Sequence, residues 1–258
     1  MVARSVRTFG QVLCVMVALT SVAAAQISVL SSAGAGPQAR SHAELSAVGA
    51  IYDAPDSHQI AMAAARFVKE YPSSEFAEYA NTALMHANLE QRDRTGAKRA
   101  AESVLNQNPK NTDALLCLAE IAAERGSADR EFRQTATQYA SSALEELRKL
   151  TLPITARRGA WLRSKKELLA RAYAILGWLA FEDGRSGEAL NKIREAAALD
   201  AQGLYFYRLA LVYEARNEIA PAIESLQTAE KLGTGAIHQL AVDRRRNLQS
   251  LPAAKPGQ

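Results

Sequence analysis

Residues 173–199 read YAILGWLAFEDGRSGEALNKIREAAAL, and residues 206–232 read FYRLALVYEARNEIAPAIESLQTAEKL. Laid over one another at a shift of 33, Tyr173 meets Phe206, Leu176 meets Leu209 and Gly177 meets Ala210. Ala189 meets Ala222, Ala196 meets Ala229 and Leu199 meets Leu232. Large apolar side chains fall on large ones and small on small. The one unlike pair, Gly184 over Asn217, joins two residues that tolerate positive φ, as a tight helix–helix turn requires. Each copy therefore carries two apolar stripes at helical spacing with a turn between them. The Ala and Gly positions mark where two helices cross closely, because larger side chains would push them apart. A period of this length is the mark of stacked supersecondary units.

The pattern extends towards the N-terminus at a shift of 34. Ala80, Leu84 and Met85 become Ala114, Leu118 and Ala119. Pro109 and Asn111 close the unit 78–111, and Pro72 closes a degenerate unit at 41–74; neither proline interrupts a stripe. The unit from 112 keeps Leu118, Ala119, Ala122 and Gly126, with its second helix displaced to Ala136, Ala140 and Ala143. Residues 156–182 read as one long helix with Trp161, Leu162, Leu168, Leu169, Ala172, Tyr173 and Leu176 along a stripe. Residues 235–249 read as a final helix. Ile237, Leu240, Ala241 and Leu248 would cover the last repeat, leaving Asp243 to Arg246 in water, as the end of a stacked array requires.

The spacing thus predicts an all-α protein, a right-handed α-solenoid of stacked antiparallel helix pairs with a C-terminal capping helix. Its divisions are a sub-array at 41–147, a basic connector at 148–169, and two units plus the cap at 170–249. Alanine supplies 51 of the 258 residues and β-branched runs are absent, which argues against a sandwich or barrel. Gly and Pro, 14 and 8, are too few for a collagen-like or low-complexity chain.

The ends read differently. Arg4 and Arg7, the apolar run 9–22 and Ala23-Ala24-Ala25 form a secretory signal peptide over residues 1–25, with Gln26 first in the mature chain. That predicts a periplasmic or secreted protein. Residues 26–40 read as a flexible leader and 250–258 as a disordered tail. Cys14 lies in the export segment, so Cys117 is the one mature cysteine, a small hydrophobe on an apolar face. The net charge of +4 falls to 4 − 2 = +2 once Arg4 and Arg7 leave, too little to argue for nucleic acid.

The chain resembles tetratricopeptide repeat proteins. Tyr173-x2-Leu176-Gly177 with Ala189-x3-Ile193-x2-Ala196 follows that motif, as does Phe206-x2-Leu209-Ala210-x2-Tyr213 with Ala222-x3-Leu226-x2-Ala229. The proline that closes the motif is missing from both units. The resemblance implies a concave groove lined by the first helix of each unit at its places 2, 5, 9, 12 and 13. Here those places hold Tyr79, Thr82, His86, Leu89, Asp113, Leu116 and Glu120. Further along they hold Arg171, Ala174, Trp178, Phe181 and Glu182, then Leu204, Tyr207, Leu211 and Glu214. Trp178 and Phe181 fall beside the packing stripe and not on it, as interface anchors do. The carboxylate clamp of some family members is not implied, because Ala83, His86, Leu116 and Ile175 stand in its places.

Of the motifs that carry chemistry, HExxH, GxSxG, GxGxxG and GxxxxGK[ST] are absent, and the four histidines are scattered. We therefore expect no enzyme, metal or cofactor. Eight basic residues lie between Arg148 and Arg171, among them Arg157, Arg158, Arg163, Lys165 and Lys166, with Glu167 the single acid. This reads as a solvated face or as a docking surface for an acidic partner or an anionic membrane. The expected function is an exported scaffold holding a protein or extended peptide. A structural accessory of an envelope or secretion assembly is the alternative reading, and an enzyme with a composite site comes last.

Overall fold

The computed structural model describes residues 37–125, 129–152 and 157–250, without the side chain of Arg125. The expected signal peptide, most of the expected leader, Gly126, Pro153, Ala156 and nearly all of the expected tail lie outside the described residues. Within them the chain is helical throughout, with eleven helices and no strand. They are α1 His42–Tyr52, α2 Ser57–Glu70, α3 Ala77–Glu90, α4 Arg94–Gln107, α5 Thr112–Arg125 and α6 Arg130–Lys149. The C-terminal series is α7 Arg158–Glu182, α8 Ser186–Leu199, α9 Gly203–Ala215, α10 Ile219–Leu232 and α11 Gly235–Ser250. Two compact units result, one ending at Leu168 and the other beginning at Leu169.

Local chemistry sets the helix starts. Ser41 accepts a hydrogen bond from the Glu44 amide at 3.1 Å, and Glu44 reaches back to the Arg40 amide at 2.5 Å. Asp56 caps α2 through the Gln59 amide, and Asp93 caps α4 through the Gly96 amide. Asn111 accepts from the Ala114 amide at the start of α5, and Asp129 caps α6. Each such cap satisfies a donor that the helix cannot, and its loss costs about 1 kcal/mol.

In the N-terminal unit consecutive helices fold back on one another across short turns, and α1 also touches α3. Val48, Ile51, Ala64, Phe67 and Ala80 form the first core. Met85, Ala97, Ala100, Ala101, Val104, Ala114, Cys117, Leu118 and Ile121 form the second, where Cys117 is one apolar group among others. The displaced second helix is present as α6, burying Ala136, Ala140 and Ala143. Glu78 on α3 accepts from the side-chain amides of Asn108 and Asn111, both at 2.9 Å, tying the α4–α5 turn to the start of α3.

In the C-terminal unit the second helices bury the repeating small-residue frame: Ala189, Ile193 and Ala196 on α8, and Ala222, Leu226 and Ala229 on α10. A Cβ at Gly177 would stand 2.6 Å from Cγ1 of Ile193, so α7 and α8 meet there with no room for a methyl group. The turns after α7 and α9 place Gly184 at φ 78° and Asn217 at φ 61°. The cap α11 buries Ile237, Ala241 and Leu248 against the last pair. Its polar side departs from expectation. Arg244 and Arg245 are half-buried in ion pairs with Glu214 and Glu230, leaving Asp243 and Arg246 to water.

Candidate partner-binding faces

The repeat register separates two kinds of place on the first helices. The fifth place is core. Thr82, Leu116, Ala174 and Tyr207 are 1%, 0%, 2% and 2% exposed. Leu116 and Tyr207 are thus removed from the expected groove: their side chains are enclosed by the fold, where apolar area is worth most out of water. Burial also pushes the Tyr207 hydroxyl above the usual tyrosine range. Ninth and twelfth places stay partly open. His86, Glu120, Trp178, Leu211, Phe181 and Glu214 are all half-buried. The second place varies, with Tyr79 and Arg171 half-buried and Asp113 buried.

In the C-terminal unit an aromatic and arginine cluster forms on this face. The rings of Trp178 and Phe181 lie 5.3 Å apart, tilted by 40°. The Arg208 guanidinium sits 5.2 Å from the Trp178 ring, a cation–π distance. The indole N–H donates to Glu182 at 3.1 Å. One layer on, Glu214 receives Arg244 in a two-pronged ion pair at 2.9 and 2.7 Å. The indole is thus held in a fixed orientation, with part of its area still facing water. Fixed, amphipathic aromatic area of this kind is what interface anchors supply.

Sequence reasoning missed Arg208 and Arg244. Arg244 was legible in the register, since Trp178 + 33 gives Leu211 and Leu211 + 33 gives Arg244. Arg208 lies one residue beyond a fifth place, and no repeat signal marked it.

In the N-terminal unit the corresponding face holds paired groups. His86 Nε2 lies 2.5 Å from Oδ2 of the buried Asp113, joining α3 to α5. Tyr79 stacks on Tyr52 with centroids 4.6 Å apart. Burial, with Tyr52 beside it, raises the Tyr79 hydroxyl far above its ordinary value. The degenerate first unit supplies two apolar groups the sequence reading left out. Leu45 and Tyr52 are 55% and 62% exposed, and they stand 34 residues before Tyr79 and His86 respectively.

The basic stretch divides. Arg157, Arg158, Arg163 and Lys166 are exposed. Lys165 turns inward, against the expectation that it lies on the basic surface. Its ammonium donates to the Leu150 carbonyl at 2.7 Å and lies 5.1 Å from the Trp161 ring. Burial lowers its pKa from the ordinary lysine value. Lys165 therefore pins α7 to the end of α6.

No protein-family model and no curated protein sequence matches the chain. Solved structures do. It is similar to YrrB, a TPR protein with an unusual peptide-binding site, at 17% identity, over 78% of this chain and 87% of that one, with a TM-score of 0.50. It also matches a thermophilic TPR protein of Thermus thermophilus at 18% identity, over 81% and 95% of the two chains, with a TM-score of 0.49. MamA follows at 22% identity, 67% and 87% coverage, and a TM-score of 0.40. The YrrB likeness shows the fold: stacked helix pairs of the tetratricopeptide kind. Among the described residues no helix is long and apolar enough to cross a membrane.

Proposed function

We propose that the protein is a non-enzymatic scaffold that holds a protein or an extended peptide segment on the first-helix face of its C-terminal unit. The observation that carries this reading is the Trp178–Phe181 pair, half-buried, with Arg208 stacked on the indole. A core aromatic would be fully enclosed. This pair is only partly enclosed and lies beside charged groups, the combination that gives an interface both energy and orientation. The fold shared with YrrB supports a binding role, since that TPR protein has a peptide-binding site. Leu211, Glu214 and Arg171 occupy groove places of the same register and would set specificity. In the N-terminal unit, Tyr79, His86 and Glu120 would supply a second, more polar contact surface.

The proposal includes export. Residues 1–25 carry the charge, apolar run and small-residue site of a signal peptide, which supports a scaffold in the periplasm or outside the cell. N-terminal sequencing of the protein recovered from the exported fraction should begin at Gln26; a chain that retains Met1 there contradicts this part.

The binding test starts from a segment captured by the full chain and resynthesised as a peptide. Trp178→Ala and Phe181→Ala should each weaken its binding tenfold or more, the effect of removing a hot-spot aromatic. Far-UV circular dichroism and the melting temperature should stay close to the parent. If affinity is unchanged, or if stability falls by the ~3–5 kcal/mol expected for a fully buried aromatic, the face is structural and the reading fails.

A further inference from the structure

The first three turns of α7 and the residue before them read RRGAWLRSKK over 157–166, without an acid. The helix separates this decapeptide into two sides. Trp161 and Ser164 are buried, and the Lys165 amine turns in towards Leu150. Arg157, Arg158, Gly159, Ala160, Leu162, Arg163 and Lys166 are exposed. Arg158, Leu162 and Lys166 follow at intervals of four and so line up on one stripe, flanked by Gly159 and Arg163. Leu162 is 42% exposed and Leu152, shortly after α6, 40%. Within the described residues no side-chain hydrogen bond or ion pair engages Arg157, Arg158, Arg163 or Lys166. Lys149, at the end of α6, contrasts with them, held by Glu145 and Glu146.

We propose that this stripe docks the protein on a bilayer surface bearing anionic headgroups. Four cations with no partner among the described residues complement such a surface, and its attraction falls off within a Debye length. The exposed leucines distinguish a bilayer from a soluble acidic chain. Arginine and lysine stems lie along apolar surface while their heads reach the phosphates, which lets Leu162 enter the headgroup–acyl boundary. Gly159 and Ala160 leave nothing bulky in the way, and a Cβ at Gly159 would meet open space. The helix also accepts a local penalty for this arrangement. Arg157 and Arg158 stand at its positive end, where acids are favoured, and its first turn has none. A sequence that breaks a local rule without a gain inside the fold points to a function outside it. This reading stands apart from the peptide-binding face and involves none of its residues.

The test is cosedimentation of the full chain with phosphatidylcholine vesicles, with and without phosphatidylglycerol. The apolar run at 9–22 is common to all variants and cancels in the comparison. The parent should bind the phosphatidylglycerol vesicles better, and added salt should erase the difference. The fourfold variant Arg157→Gln, Arg158→Gln, Arg163→Gln, Lys166→Gln should lose at least tenfold in that preference, each cation near an anionic surface contributing about fivefold. Leu162→Gln should weaken binding without changing its salt dependence. A variant with the same charge change elsewhere, Lys69→Gln, Lys98→Gln, Arg99→Gln, Lys110→Gln, should bind like the parent. Equal preference in the parent and the fourfold variant overturns the proposal. So does an equal loss in the control variant, or capture of a soluble polyglutamate peptide without any vesicle preference.

Discussion

The two units solve the same packing problem and dress its open side differently. In the N-terminal unit the ninth place of one layer, His86, is bonded to the second place of the next, Asp113, while Tyr79 stacks on Tyr52. In the C-terminal unit the ninth place is Trp178, braced by Arg208 and Glu182, and the cap supplies Arg244 to Glu214. The helical frame beneath both is one of small residues: Ala97, Ala100 and Ala101 on α4, Ala136, Ala140 and Ala143 on α6, Ala189 and Ala196 on α8. A repeat frame fixes where side chains project. What stands at the second, ninth and twelfth places then decides whether a face closes on itself or keeps area for a partner.

The comparison can be broken from the frame outward. Leu226, fully buried on α10, should cost about 2–5 kcal/mol as Leu226→Ala, the range for emptying a well-packed leucine site. Because each repeat is held mainly by its neighbours, hydrogen exchange should quicken in α9–α11 first, with α2–α4 unaffected. Uniform quickening across both units would show that they unfold as one.

Gly177→Ala should cost about 1–3 kcal/mol, read by urea titration. The added methyl strikes Ile193, and the overpacking outweighs the better helix propensity of alanine. A stabilised variant would mean that α7 and α8 cross less closely than described.

Tyr79 gives the N-terminal unit an alkaline signature. Its pKa is raised in the folded chain, so the neutral form is favoured by folding. Stability from this group is complete below the ordinary tyrosine pKa near 10, and is lost progressively as pH rises above it. Tyr79→Phe should flatten the decline of stability above pH ~10. An unchanged slope would place the phenol in water.

The smallest effect concerns a turn. Arg92, between α3 and α4, sits at φ 61°, where a side chain costs about 1–2 kcal/mol. Arg92→Gly removes that strain and adds unfolded-chain entropy, for a net gain of at most ~1 kcal/mol in the melting free energy. Destabilisation would show that the Arg92 side chain holds the turn.

How much was legible follows from the same division. The helix pairs, the late second helix at Ala136, the turn residues Gly184 and Asn217 and the cap could be read because they depend on spacing and residue size alone. Leu116 and Tyr207 fall outside the groove because helical periodicity gives the direction of a side chain without telling whether the fold covers it. Lys165 looked like surface because composition counts charges and cannot see an ammonium folded back onto Leu150. Leu45 and Tyr52 were passed over because the motif is degenerate there, although the shift of 34 reaches both. Arg92 carries no mark of positive φ, since that conformation is imposed by the helices on either side.

The most direct measurement is hydroxyl-radical footprinting of side chains with and without a bound peptide segment. Trp178 and Phe181 should lose reactivity in the complex, while Leu232 and Met62, exposed on second helices, keep theirs. Protection of Leu232 or Met62 with Trp178 and Phe181 unchanged would contradict the account.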